Sequence, residues 1–344
     1  MRKLVTIRKI KEIKPIEDAD RIEVAVIDGW HVVVKKGDFK EGELCVYFEI
    51  DSIIPRHPWN DFLANKDKPE APIRLKTVKF RGQISQGLAL PLDSGALPYD
   101  SGLAREGDDI TEAIGVEKYE PPIPACLGGD VIGKMPYSVT DEERIQNIPE
   151  IIEEFKSRTV YVTQKIDGTS TTFGIKDGQF VVAGRNWAFK EGVDNTYWEM
   201  AHKYDIEAKL RELGEKTGSE WACQGETYGG GIQKNRLAVK GHEFAIFNVL
   251  ENGRKVDWWA AKDENVVKFV ASLPTVRILY QGEFKWNSVE ELLDYADEHK
   301  YPNGGQAEGI VIRPLESFYS EVLNTKAPSF KVISNKFLAK NKDA

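Results

Sequence analysis

Several short segments of this 344-residue chain carry side chains suited to handling a charged substrate. The first is Thr163-Gln164-Lys165-Ile166-Asp167-Gly168-Thr169-Ser170, in which a lysine sits between a β-branched run and a glycine turn. A lysine at such a strand end directs its ammonium into whatever cleft the sheets form. Alone, K-x-D-G is weak, since about one chain in ten of this length would contain it by chance. Other elements follow in order: Gly184-Arg185-Asn186-Trp187, then Gln224-Gly225-Glu226-Thr227-Tyr228-Gly229, then Phe244-Ala245-Ile246-Phe247-Asn248-Val249. Glu308-Gly309-Ile310-Val311-Ile312-Arg313 and Ser329-Phe330-Lys331-Val332-Ile333-Ser334 complete the series. With 47 Lys+Arg against 55 Asp+Glu, the net charge of −8 argues against holding nucleic acid by bulk charge. A polyanion would instead be bound locally, through basic stripes or through metal ions held by carboxylates.

The elements that position these side chains read as α+β. Strands are predicted at 160–163, 169–175 and 179–183, then at 220–224, 244–249, 309–312 and 329–333. Helical spacing covers 197–213, 262–272 and 288–300, and Asp141-Glu142-Glu143-Arg144-Ile145 reads as a helix start with acids at its N-terminal dipole. Residues 93–150 are rich in Pro and Gly and read as a connector. The expected boundary lies at residue 125, giving domains 1–125 and 126–344. Residues 1–92 hold short strands with turn punctuation: Ile22, Val24 and Val26 alternate, Asp28-Gly29 marks a tight turn, and Leu44-Cys45-Val46-Tyr47-Phe48 follows. This predicts a small β-barrel, an OB-fold or an SH3-like alternative. Within it, Arg74-Leu75-Lys76-Thr77-Val78-Lys79-Phe80-Arg81 has four cations in eight residues. Read as one strand, it puts Lys79 and Arg81 on a shared face, either following a phosphate backbone or guarding an edge.

Other signals are decoys or exclusions. Gly128-Gly129-Asp130-Val131-Ile132-Gly133-Lys134-Met135 almost spells a P-loop, but Met135 stands where the magnesium-binding hydroxyl belongs. Tyr228-Gly229-Gly230-Gly231 lacks a βαβ setting, and Trp258-Trp259 reads as packing. Cys45, Cys126 and Cys223 form no C-x-x-C pair, and five scattered histidines have no ligand spacing. The charged start and the lack of a long apolar run predict neither signal peptide nor membrane span, so the expected home is the cytoplasm.

In the order and type of its motifs, the sequence resembles the covalent lysyl-nucleotidyltransferases, the group of polynucleotide ligases and mRNA capping enzymes. The likeness runs across about half of the chain. Lys165 matches the nucleophile motif, Arg185 the arginine motif, Glu226 the third motif, Phe247 the purine-stacking motif, Glu308 the E-G-hydrophobic motif and Lys331 the last lysine-bearing strand. The resemblance implies a nucleotidyltransferase domain of ATP-grasp-like antiparallel sheets. It implies that Glu308 positions metal and that Glu226 binds ribose hydroxyls. Lys331 would serve the α-phosphate, Arg185 the acceptor phosphate, and Gln164 the amino edge of adenine. Phe247 either stacks on the base or is simply core. One departure is visible: many ligases of the group have K-x-K in the last motif, whereas Lys331 is followed by Val332 and Ile333, leaving Lys326 as a substitute. A lysine attacks phosphorus only as the free amine, and its ordinary pKa is ~10.4. Nearby cations, partial desolvation and divalent metal are therefore expected to lower it.

Only 13 residues follow Lys331 (344 − 331), so an OB domain is expected in front of the motifs rather than behind them. That layout is similar to the Deinococcus-type RNA ligases over nearly the whole chain. The likeness implies a monomeric, ATP-dependent enzyme with magnesium or manganese that seals 3′-hydroxyl/5′-phosphate nicks in RNA-containing duplexes, with ribonucleotides needed on the 3′-hydroxyl side. A DNA ligase or guanylyltransferase on the same core, and a non-enzymatic OB-type binder, are the competing readings.

Overall fold

The structure, a computed structural model, describes residues 3–120, 130–192 and 195–341. By their contacts the residues group into two compact units, 1–122 with 335–344, and 123–334. The expected boundary at residue 125, like Cys126 and the first glycines of the P-loop decoy, falls outside the described residues.

The first unit is built from short antiparallel strands. β1 (Val5–Lys9), β5 (Leu44–Phe48) and β10 (Leu88–Pro91) form one sheet with β5 at its centre. β2 (Glu12–Pro15), β3 (Ile22–Ile27) and β4 (Trp30–Lys35) form a meander, and β6 (Ser52–Ile54) pairs with β7 (Ile73–Arg74) and β11 (Glu117–Lys118). As the sequence predicts, β3 turns into β4 at Asp28-Gly29, both with positive φ, the twist that a two-residue hairpin requires. β8 (Thr77–Phe80) and β9 (Gln83–Gln86) make a hairpin whose Ser85 Oγ and Gln86 Oε1 accept from the Val33 and His31 amides of β4. Val5, Ile7, Val46, Phe48 and Ile54 are buried on one side; Ile27, Trp30, Val32 and Tyr47 fill a second cluster.

The basic segment 74–81 is not one strand. β7 ends at Arg74, which is fixed 2.8 Å from Asp51 and lies over the Tyr119 ring. Arg81 sits in the β8–β9 turn with a positive φ, so it shares no strand face with the half-buried Lys79. Lys76, Val78 and Phe80 point outward instead.

The second unit carries two large sheets. In the first, the order is β12 (Val131–Lys134), β17 (Trp187–Phe189), β16 (Gln179–Ala183), β15 (Thr169–Lys176), β18 (Trp221–Gly229), β19 (His242–Glu251) and β20 (Arg254–Lys255). The second runs β13 (Glu143–Arg144), β23 (Phe330–Ile333), β22 (Gly309–Pro314), β14 (Thr159–Lys165) and β21 (Ile278–Glu283). Every pairing is antiparallel except β13 with β23. α1 (Ile151–Phe155) and α5 (Val289–Glu298) bury Ile151, Phe155, Leu292 and Ala296 against Val160, Val162, Ile310 and Phe330. α2 (Thr196–Lys203), α3 (Ile206–Thr217) and α4 (Glu264–Ala271) cover Phe173, Cys223, Phe244 and Ile246 of the other sheet.

Two expectations fail locally. The helical spacing over 197–213 is cut in two because Asp205, between α2 and α3, adopts a left-handed φ. The acidic 141–145 segment starts no helix. Asp141 and Glu142 pair with Arg185 and Arg313, while Glu143–Arg144 lies alongside Phe330 and Lys331 as a parallel strand. The last helix, α6 (Asn335–Lys340), corrects the expected run of the second domain to residue 344. It packs on β9 and buries Phe337 and Leu338, so the second unit ends at residue 334. Among the described residues, no helix is long and apolar enough to cross a membrane.

Candidate active site

The two sheets of the second unit meet at Lys165. The residue ends β14, where its Cα partner is Gly309 of β22, and Glu308 immediately precedes that strand. Lys165 Nζ lies 2.7 Å from Glu308 Oε2, both side chains largely shielded. Strand alternation puts Thr163 and Tyr161 on the same face, while Val160 and Val162 enter the helix-covered core. After Lys165 the chain turns sharply toward β18. A Cβ on Gly168 would stand 2.4 Å from the Thr227 carbonyl oxygen and 2.8 Å from Glu226 Cγ, so only glycine allows the approach. Glu226 is thereby brought up to Lys165 from the opposite sheet.

Electrostatics follows from this crowding. Burial works to lower the Lys165 pKa, but the adjacent Glu308 and Glu226 carboxylates outweigh it and hold the amine firmly as ammonium. The expectation of a lowered pKa is therefore reversed here: carboxylates, not cations, are its nearest charged neighbours. One ammonium cannot neutralise two carboxylates. Burial pushes Glu226 up to about 8, with Lys165 working against the rise and Glu308 adding to it.

Lys331 lies beside this pair on β23, in register with Val311 of β22 and Arg144 of β13. Burial lowers its pKa to about 8, and the Arg144 and Lys165 cations push the same way. Arg185, in the turn between β16 and β17, pairs with Asp141, another neighbour of Lys331. Phe247 of β19 is half-buried among Ile166, Tyr228, Leu237 and Val276. The cation of Arg313 stands 5.7 Å from its ring centre.

Lys165, Glu226, Glu308 and Lys331 thus come together as the sequence predicts, with Arg185 linked to them through Asp141. Two other candidates are placed differently. Gln164 is buried on the face opposite Lys165, and its Nε2 donates to the Lys300 carbonyl at 2.9 Å. Lys326 is exposed on an open cleft of about 1000 Å³ that it shares with Asp141, Arg254, Lys255 and Ser329. Lys79 and Arg81 belong to the first unit.

Sequence reasoning missed several contributors. Arg313 pairs with Glu142 at 2.9 Å, both nearly excluded from solvent, and donates to Thr163 Oγ1. Arg236 pairs with Asp167. The Tyr301 hydroxyl meets the backbone of Lys165, Asp167 and Glu308. Arg313 was visible as the last residue of the Glu308 motif. Arg236 and Tyr301 lie in loops, where no periodicity marks a side chain that reaches back into a site.

An RNA ligase family model matches residues 158–333, and an OB-fold domain model matches residues 4–92, which selects the OB-fold over the SH3-like alternative. No match was found among curated proteins. Among solved structures, a Naegleria gruberi RNA ligase mutant with AMP and Mn is 36% identical, with 100% of both chains covered and a TM-score of 0.82. A mutant of the same ligase with ATP and Mn also has 36% identity and a TM-score of 0.82, with 99% of this chain and 100% of that chain covered. The Naegleria gruberi RNA ligase with PPi matches at 36% identity, 100% coverage of both chains and a TM-score of 0.81.

Proposed function

This chain belongs to the RNA ligase family, and on that premise we propose that it uses ATP to seal 3′-hydroxyl/5′-phosphate nicks in RNA-containing duplexes through AMP carried on Lys165. The observation that carries the reading is the placement of Lys165 Nζ, 2.7 Å from Glu308, with Glu226 and Lys331 around it and the half-buried Phe247 ring packed near Ile166, the residue after the lysine. In the first step, the Lys165 ammonium gives its proton to solvent and the free amine attacks the α-phosphorus of ATP; a P–N bond forms as the P–O bond to the leaving pyrophosphate breaks. AMP then passes from lysine to the 5′-phosphate of the break. Finally the 3′-hydroxyl attacks that phosphate and AMP departs. Lys331 offers fixed positive charge to the α-phosphate and Arg185 to the acceptor phosphate, where charge grows in the transition state. Glu226 suits the ribose hydroxyls, since burial near neutrality lets it accept or donate a hydrogen bond. Phe247 offers a face to adenine.

The donor set also fits a divalent ion. Among the described residues no three His, Cys, Asp or Glu side chains cluster as a cage, whereas hard ions such as Mg²⁺ use one or two carboxylates together with substrate phosphates. Glu308 would hold Mg²⁺ or Mn²⁺, which neutralises triphosphate charge and disfavours a neighbouring ammonium. Ribonucleotides are required on the 3′-hydroxyl side in this reading, and the enzyme acts as a monomer in the cytoplasm; the free, buried Cys45 and Cys223 thiols suit a reducing compartment. The test is incubation with α-labelled ATP and Mg²⁺ or Mn²⁺, followed by denaturing electrophoresis. Wild type should acquire label and Lys165→Ala should not; label on the variant, or none on wild type, refutes the reading. Labelled GTP and NAD in parallel, then nicks with ribose or deoxyribose at the 3′ side, separate the RNA ligase reading from its rivals.

A further inference from the structure

The segment that follows α5 meets the active site at several points, yet none of its residues has a role in the chemistry above. β14 and β22 are paired up to Lys165 and Gly309. Beyond that pair the two chains part, one into the Ile166-Asp167-Gly168 turn and the other back to Glu308. The Tyr301 hydroxyl occupies the fork. A phenol has one proton to donate and two lone pairs to accept with. Here it donates to the Lys165 carbonyl at 3.0 Å and accepts from the Asp167 and Glu308 amides, each at 3.1 Å. All of its capacity is therefore spent on backbone, at a residue that is 2% exposed.

Tyr301 is itself held. Its amide donates to the Gly305 carbonyl and its carbonyl accepts from Gly304, closing a tight turn. From that turn, Asn303 Nδ2 donates to the carbonyl of Arg236, the residue whose guanidinium pairs with Asp167. The neighbouring Lys300 carbonyl holds Gln164. Residues 300–305 thus tie down the nucleophile turn on both sides and join it to the carboxylate opposite.

We propose that Tyr301 is a positioning residue for lysine adenylylation: its hydroxyl replaces the next rung of the β14–β22 ladder and so sets the distance between the Lys165 amine and the Glu308 carboxylate. The proposal rests on the ligase reading above. A phenyl ring in its place keeps the packing but leaves one carbonyl and two amides without this partner, so the turn can drift. Drift of about 1 Å at a reacting group can cost on the order of 100-fold in rate.

The test is single-turnover adenylylation of the full chain with α-labelled ATP and Mg²⁺, titrated in ATP, for wild type, Tyr301→Phe and the α5 core variant Leu293→Ala. Labelling of wild type checks the ligase reading separately. Tyr301→Phe should lower the maximal rate about 30- to 100-fold, with half-saturating ATP within about twofold of wild type. Leu293→Ala, destabilised without touching the turn, should keep a near-normal maximal rate at temperatures below its melting point. A Tyr301→Phe maximal rate within threefold of wild type overturns the proposal. So does a loss no greater than that of Leu293→Ala at equal distance below each melting point, or an effect confined to half-saturating ATP.

Discussion

Replacing Lys331 with methionine should stabilise the second unit while disabling the enzyme. Burial beside Arg144 and Lys165 lowers the Lys331 pKa from 10.5 to about 8, so the folded state holds this ammonium less willingly than the unfolded chain does. Each pKa unit corresponds to about 1.4 kcal/mol, and the full shift to about 3–4 kcal/mol. Solvent screening at a half-buried position reduces the expected penalty to about 1–3 kcal/mol. Between about pH 8 and 10.5 the unfolded chain binds the proton that the folded one has released, so stability rises with pH across that window. Below about pH 8 the penalty is in full force; above 10.5 it is gone. Methionine carries no charge and fills a similar volume, so the variant lacks this pH dependence. Urea unfolding of wild type and Lys331→Met at pH 7 and at pH 10 reads the difference directly. The variant should be more stable at pH 7 by roughly 1–3 kcal/mol, with most of the advantage lost at pH 10. Its adenylylation should fall at least 100-fold as the α-phosphate loses a fixed cation. Equal stability at pH 7, or an advantage that does not change with pH, would refute the argument that this cation is held at a cost.

Gly168→Ala should abolish lysine labelling, because its Cβ would collide with the Thr227 carbonyl and Glu226 Cγ; normal labelling by that variant would contradict the close approach of the turn to β18. Phe247→Ala should raise half-saturating ATP about tenfold, the worth of one aromatic stack, while leaving the maximal rate nearly unchanged; a reversed pattern would make Phe247 core alone. In the first unit, Lys79→Ala combined with Arg81→Ala should weaken binding to a nicked duplex and reduce its salt slope by about two. An unchanged mobility-shift titration would remove the β8–β9 hairpin from the nucleic-acid surface.

What was legible in the sequence follows the range of the interactions involved. Asp28-Gly29 dictates a turn by its own φ, and Lys165, Glu226, Glu308 and Lys331 announce themselves because each sits in or beside a patterned strand. Asp205 broke a helix whose spacing looked continuous, because its left-handed backbone leaves no trace in apolar periodicity. Asp141 and Glu142 read as helix-starting acids until Arg185 and Arg313, distant in sequence, claimed them as partners. Residues 74–81 failed as a strand for a similar reason: Arg74 is held by Asp51 and Tyr119, and the turn falls at Arg81. Tyr301 lay beyond reach because nothing in a Lys-Tyr-Pro-Asn-Gly-Gly loop says where one hydroxyl will point.

The reversed charge state of Lys165 bears most directly on function. As an ammonium paired with the Glu308 carboxylate, the residue has no lone pair with which to attack phosphorus. Replacing Glu308 with glutamine would free the amine from its strongest partner, yet would also remove the carboxylate proposed to hold the divalent ion. Breaking a shielded pair by deleting one member leaves the other charge uncompensated, which costs more than the pair itself contributes. Glu226, already pushed toward neutrality at about 8, can absorb part of that imbalance by taking up charge. Glu308→Gln should therefore remain folded but lose labelling at least 100-fold, as the carboxylate suited to the divalent ion is gone. A stable, labelling-competent Glu308→Gln protein would show that the 2.7 Å ion pair is a bystander and not the resting state of the nucleophile.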